Sequence, residues 1–546
     1  MNNNNKILIA LMAIALGITS CKKQLDITNT NQPTPQSAQN ETGVVSLAQG
    51  SIYRNGFYDL KYFDGVYGRF WSGAIGFQEL MGDIVGAEAA NAYMNQIGCP
   101  NQVILDNGTV VLNPSAINTQ YSLLRSINAN AKQGSNTTFY EWAYMYNMIT
   151  AANSVLKIVE NTTFSGTGAA SKKATVQAWA YWWKGYAYAR IGSIYYAGLI
   201  QNSITTDVAT NGNYVTKEAI ITESNVNFDK CATSLDLATS ATDYNVVLGK
   251  LIPTFLQKGK GGILTITMWK HNINTMKARN IVVNSTVAAM TAAQWNNVLT
   301  LVNNGITSTD IIFTGRTDAN GDFLGTTLSD LVESTGINTN TYKLSERWVQ
   351  DFKSGDKRKD NNVYTLPSVG IFNTDRGNVF NTRYSLVSGG NGLAGVVVFS
   401  NKNAGANEIT LCGTYEENEL MKAEALIQTG QIATGLLSIN NVRTYQGAGL
   451  AALSTNLTQA AAYEELRSER RISLAFKGLS FYDARRWDII APDKARTGCV
   501  VLSAAGVVST NATIKYGYLD YWDVPDNELA YNPAAAGSAP VVNPKK

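Results

Sequence analysis

Two neighbouring stretches with helical spacing restrict what this chain can fold into. Across residues 139–160, Phe139, Trp142, Tyr146, Ile149, Ala152, Leu156 and Val159 recur at intervals of three and four. A helix here carries one continuous apolar stripe and must bury it. The run 174–196 follows closely and mixes rings with small residues: Ala178, Tyr181, Gly185, Tyr188 and Gly192 fall on one face. Small residues at that spacing let a second backbone approach, the pattern of stacked helix hairpins. A clearer hairpin is legible at 415–443. Leu420, Ala423, Leu426 and Ile427 precede Gln428-Thr429-Gly430, while Ala433, Leu437, Asn440 and Val442 follow. Gly430 is placed to cap the first helix. Two helices around a short glycine turn form the unit of a tetratricopeptide-like solenoid, although the full consensus of that repeat is missing.

Between the hairpins the texture changes. Residues 200–212 and 310–395 are rich in Thr, Asn, Ser and Gly, with apolar runs at Ile311-Ile312-Phe313 and Val396-Val397-Val398-Phe399 that read as small strands. Loops of that length in a compact chain usually carry function, so a ligand surface on a helical scaffold is expected. The 546 residues allow one large domain or two closely packed lobes. The 44 Lys plus Arg nearly balance 41 Asp plus Glu, which argues against a nucleic-acid partner.

The first residues are a separate object. Lys6 gives a sparse positive start and residues 7–16 an apolar run too short for a membrane span, which reads as an export signal. Ile18-Thr19-Ser20-Cys21 resembles the bacterial lipobox, which makes Cys21 the expected lipidation site and membrane anchor. Residues 24–39, dominated by Thr, Asn, Gln, Ser, Pro33 and Pro35, read as a flexible tether. Four further cysteines, Cys99, Cys231, Cys412 and Cys499, are far apart and form no C-x-x-C pair. Disulfides and buried thiols both remain open.

The most specific stretch is 469–487. It opens Glu469-Arg470-Arg471, continues Leu474-Ala475-Phe476-Lys477-Gly478, and closes with Phe481-Tyr482-Asp483 and Arg485-Arg486-Trp487. It resembles the C-terminal signature of the SusD/RagB family of nutrient-binding outer-membrane lipoproteins, with Ser473 and Lys477 where acids are usual. Ser480 stands where a larger or basic residue is common, and the family's salt bridges at these positions are not carried over. Further stretches agree in order. Leu420 to Ala425 with Ile439 to Arg443 is similar to the hairpin before the signature, and Met276 to Arg279 with Trp295 to the central helices. Asp356-Lys357-Arg358 is similar to a short acidic-basic element, and 516–533 to the C-terminal close. The resemblance implies a mostly α fold, with tetratricopeptide-repeat-like helical hairpins supporting an irregular loop-rich lobe with a few short strands. It divides the chain into a signal peptide at 1–20, a lipid-anchored tether at 21–40 and a body at 41–546. The body places its scaffold mainly at 41–310 and 411–490, a variable part at about 311–410 and a closing segment at 491–546. Read physically, the charged signature is a structural clamp, because Arg favours planar bidentate pairing beside apolar residues.

The resemblance also implies a non-catalytic protein without a cofactor. Its partners would be a glycan or other nutrient and a SusC-like TonB-dependent outer-membrane transporter, on which it sits as a lid at the cell surface. Sugars offer hydroxyls and flat C–H faces, so rings flanked by amides and acids suit them. Tyr93 between Asn91 and Asn95 is the best such cluster, with Tyr67 and Trp71 upstream and Phe313 and Phe323 expected at the rim of a turn-rich loop. Trp71 also fits a core position, since Trp71, Ile75, Gln78 and Met81 keep helical spacing. Asp318-Ala319-Asn320-Gly321-Asp322 begins like a calcium loop but has Ser329 where the closing Glu belongs, and reads as an ordinary turn. Glu416, Glu417 and Glu419 could be offered as glycosidase carboxylates, yet fit more simply as an acidic helix start. The single histidine, His271, has no nucleophile motif beside it and cannot alone hold a metal. A peptide ligand is the competing reading.

Overall fold

The helix Ala169–Ile194 is the spine of the computed structural model, which describes residues 38–54, 74–87, 93–115, 117, 119–203, 210–316, 342–370, 379–401, 403 and 405–545. Cys21 with the leader, Tyr67, Trp71, Asn91, Phe323 and the 318–322 turn lie outside the described residues. Within them the chain is mostly α-helical, built of antiparallel helix pairs with a few short strands. No helix among the described residues is long and apolar enough to cross a membrane.

The spine is buried on nearly every side, as a helix with apolar residues all round must be. Its partner Phe139–Glu160 buries Trp142, Tyr146, Ile149, Ala152 and Val159 of the predicted stripe, and also Tyr140, Met145 and Met148 beside it. Behind the spine lies Lys217–Leu237. The small residues explain how close that helix comes: a Cβ on Gly185 would sit 2.7 Å from the Phe228 ring, and one on Gly192 2.9 Å from Ile221. Trp179, Trp182, Trp183 and Trp269 surround one ring, that of Phe313, at centroid distances of 5.8, 4.7, 5.5 and 5.3 Å. Phe313 is only 2% exposed, so it is not the rim ring expected from the sequence. An aromatic at a loop boundary is drawn into such a cluster because burial and edge-to-face contact both favour it.

The hairpin Tyr415–Gln428 and Ile432–Tyr445 turns as the glycine predicted. Gly430 is left-handed at φ 82°, its N–H bonds the Ile427 carbonyl, and the Gln431 N–H bonds that of Leu426. These two bonds satisfy carbonyls that the helix end leaves open. The two apolar runs read as strands do not form strands. Ile312 forms an isolated bridge to Gly261, the ladder is Thr314–Arg316 against Glu408–Thr410, and 396–399 is extended but pairs with no strand. Its backbone is held by other means: the Val397 N–H bonds the Gln446 carbonyl, and Asn362 bonds both the Val397 carbonyl and the Phe399 N–H, at 2.8 and 2.9 Å. The longest strands, Arg496–Leu502 and Val508–Lys515, join Gln102–Ile104 and Val110–Leu112 in an antiparallel sheet.

The signature folds into a buried charge network. Arg470 grips Asp483 through two bonds of 2.9 Å. Arg486 bonds Asp483 at 2.8 Å and Glu424 of the hairpin at 2.7 and 2.5 Å. Glu469 receives Arg358 at 2.5 Å and Arg443 at 2.8 Å. Arg485 donates to the carbonyls of Ser193, Val283 and Asp520, tying three distant elements together. The carboxyls of Glu469 and Asp483 feel burial pushing them up, but the guanidinium groups beside them outweigh it and hold both below the ordinary range. Cys99, Cys231, Cys412 and Cys499 are buried free thiols.

Two substitutions test this packing by chemical denaturation. Gly185→Ala forces a methyl into the Phe228 contact and is expected to cost about 1–3 kcal/mol. Arg486→Ala leaves the buried Glu424 carboxylate without its guanidinium and is expected to cost about 3–5 kcal/mol.

Candidate functional site

Two antiparallel helices of 14 residues each, joined by a tight turn, bring the first residue of one beside the last residue of the other. Those residues are Tyr415 and Tyr445, whose half-buried rings meet edge to face at 4.8 Å. They stand at a cleft of about 660 Å3, a size typical of small-molecule sites. Its far wall is the extended run 396–399, and its floor includes Ala475, Phe476 and Lys477.

Thr414 caps the first helix by accepting from the Glu417 N–H, which places Glu416 in the first turn facing the cleft. Burial pushes the Glu416 carboxyl up, but Lys477 at 3.3 Å and the Gln446 amide at 3.3 Å outweigh it and keep the carboxylate charged. Gln446 is itself held, because its oxygen accepts from Arg358 at 3.0 Å and Ser473 at 3.0 Å. Opposite, Lys260 lies over the Tyr445 ring with Nζ 5.0 Å from its centroid and donates to the Ser308 carbonyl at 2.8 Å. Glu408 is saturated by the N–H groups of Lys260 and Gly261 and by Arg316. Tyr415 is pushed up to about 12, first by burial and then by Glu419, Tyr445 and Glu416, so its hydroxyl stays a donor at neutral pH.

The floor is set by a carboxylate from far away in the sequence. Glu79, in the helix Gly76–Met81, accepts the N–H groups of Phe476, Gly478 and Leu479 at 3.0, 2.7 and 3.2 Å. Phe476 is thereby held left-handed at φ 67°, a conformation costly for a residue with a side chain and maintained only where surroundings enforce it. Its ring and that of Phe399 both pack edge-on against Trp348, which joins floor to wall.

The residues singled out in the sequence fall elsewhere. Tyr93 is half-buried against the core and left-handed at φ 58°. Asn95 is 0% exposed, so its amide faces the interior and not solvent, because the short helix Met94–Ile97 turns it inward. Neither lines the cleft. Sequence reading missed Tyr415 and Tyr445, although equal helix lengths about Gly430 carried the signal. Among the described residues no group of three or more His, Cys, Asp or Glu is placed to hold a metal. His271 sits on a helix with Nδ1 2.8 Å from Asp310.

The fold has known counterparts. A SusD-like carbohydrate binding protein from Bacteroides vulgatus superposes with a TM-score of 0.55 at 14% identity, over 92% of this chain and 98% of that one. A SusD superfamily protein from Parabacteroides distasonis gives 0.57 at 13%, over 91% and 99%. A crystal structure with xylogluco-oligosaccharide gives 0.55 at 14%, over 92% and 99%. No curated protein sequence matches. The model of the SusD family matches residues 415–536, the hairpin, the clamp and the C-terminal close. That segment of the chain is similar to the SusD family, and the solved structures share its fold. Within the matched segment the signature serves structure: its arginines are spent on buried carboxylates and carbonyls, while Ser473, Ala475, Phe476 and Lys477 of the same stretch line the cleft.

Glu79 offers a test of the floor. Burial raises its carboxyl to about 7 against the lowering effect of the three N–H bonds. A raised folded value makes its contribution complete below about 4.5 and lost as pH climbs through 7. Wild-type stability minus that of Glu79→Gln, measured by urea denaturation across pH, should therefore fall between those limits. A level difference would refute the assignment.

Proposed function

We propose that this chain is a member of the SusD family, a non-catalytic, lipid-anchored protein of the outer membrane that binds an oligosaccharide or polysaccharide and passes it to a SusC-like TonB-dependent transporter. The match of residues 415–536 to the SusD family model carries the reading. Relatives of the same fold are described as carbohydrate binding, and one was solved with xylogluco-oligosaccharide. The lipobox-like Ile18 to Cys21 supports the anchor, and the tether at 24–39 gives a lid room to swing. Anchoring also keeps the effective concentration at the transporter high, so modest affinity suffices for capture. Tyr93, with Tyr67, Trp71, Asn91 and Phe323, is retained in the proposal as a ligand surface.

The chemistry of the cleft favours holding over reacting. A glycosidase needs one carboxyl poised to give a proton and another placed to stabilise or attack. Here Glu416 is kept ionised by Lys477, and Glu408 is occupied by Arg316 and two N–H groups.

Calorimetric titration of the mature body against panels of oligosaccharides and peptides decides the ligand class. Saccharide binding without turnover is expected. Binding confined to peptides, or release of reducing ends, would overturn the proposal. Affinity capture from detergent-solubilised membranes is expected to bring down a large barrel protein, and protease treatment of intact cells to remove the body.

A further inference from the structure

Resting on the glycan reading, we propose that the cleft between the Tyr415–Tyr445 hairpin and the segments 396–399 and 406–409 takes a short neutral oligosaccharide, stacked on Tyr415 and Tyr445 and hydrogen-bonded by Glu416 and Lys477. Four observations lead there. The two rings are half-buried yet line the cleft, which leaves ring surface for the C–H face of a sugar beside the Lys260 ammonium that lies over Tyr445. The Tyr415 hydroxyl has no hydrogen-bond partner among the described residues, which leaves a donor for a ligand oxygen. Glu416 and Lys477 are locked 3.3 Å apart, an acceptor and a donor spaced to meet neighbouring hydroxyls, and Thr414 and Gln446 keep them there. The wall at 396–399 supplies apolar contact, with Val398 42% exposed.

Charge selects neutral over ionic ligands. Lys477 is balanced by Glu416, Arg316 by Glu408, His271 faces Asp310, and the Lys260 ammonium over Tyr445 donates to the Ser308 carbonyl, so charges of both signs are interspersed and no cluster of one sign demands a counter-charge. An extended peptide fits less well. Both the N–H and the carbonyl of Val397 are already bonded, so the wall offers no continuous strand edge to pair with. Nothing in this arrangement depends on the Tyr93 surface, and the cleft is a separate point of contact along the same ligand.

The test uses the full mature chain and the neutral oligosaccharide from the panel that binds best. Tyr415→Ala and Tyr445→Ala are each expected to weaken binding about tenfold or more, as loss of a stacking ring does. Tyr445→Phe keeps the ring and should bind nearly as wild type, while Tyr415→Phe, which also loses the free hydroxyl, should lie between. Hydrogen exchange supplies a readout independent of the variants, with bound sugar expected to slow exchange around 396–399 and 414–416. If wild type binds a sugar but the alanine variants bind equally well and exchange at those segments is unchanged, the cleft assignment is wrong while the glycan reading stands. If acidic sugars bind far better than neutral ones through the same tyrosines, the neutral class is wrong. If wild type binds no saccharide, both fall together.

Discussion

Buried pairing between arginine and carboxylate is the constraint on which this architecture rests. Arg358, Arg443, Arg470 and Arg486 are all buried, and each donates to a carboxylate that is buried with it. Ions removed from water in this way add little net stability, since desolvation offsets most of the attraction. Their effect is on uniqueness. A shift of one helix turn at 424, 469 or 483 would leave a charge alone in an apolar interior, an outcome far costlier than the pairing is favourable. The network therefore fixes the register of the hairpin against the C-terminal helices more sharply than their apolar faces could.

The cleft inherits that precision. Arg358 donates from Nη1 to both Glu469 and the Gln446 amide oxygen while its Nε and Nη2 hold Asp356, and Gln446 in turn steadies Glu416. Asn362, in the helix begun by Asp356 and Arg358, props the extended wall. Polar groups that would contact a ligand are thus positioned by groups that never could, a preorganisation that lowers the ordering cost of binding. Two of the departures from the family pattern are part of this. Ser473 bonds both Glu469 and Gln446, and Lys477 supplies the cation for Glu416.

Much of the scaffold was legible because periodicity and glycine placement act locally. The stripe at 139–159, the close-approach face at Gly185 and Gly192, and the cap at Gly430 follow from side-chain spacing alone. The charged signature could be read as a clamp because its residue types admit few other buried uses. What failed depended on partners distant in the chain. Phe313 sits at a loop boundary and gave no local sign that four tryptophans would enclose it. The 396–399 run has strand composition, yet side chains of Asn362 replace a neighbouring strand. Tyr415 and Tyr445 lie 30 residues apart in number and became a pair only through the hairpin's equal arms.

The grip of Glu79 on the backbone at 476–479 spans 397 residues or more, and the strand Val508–Lys515 reaches back to Gln102–Ile104. Contacts of such sequence separation form late, since the intervening chain must be gathered first. A polypeptide tied start to finish in this manner cannot complete its interior while still emerging from the ribosome. It stays open and threadable until its last residues have been made, and then closes as a unit.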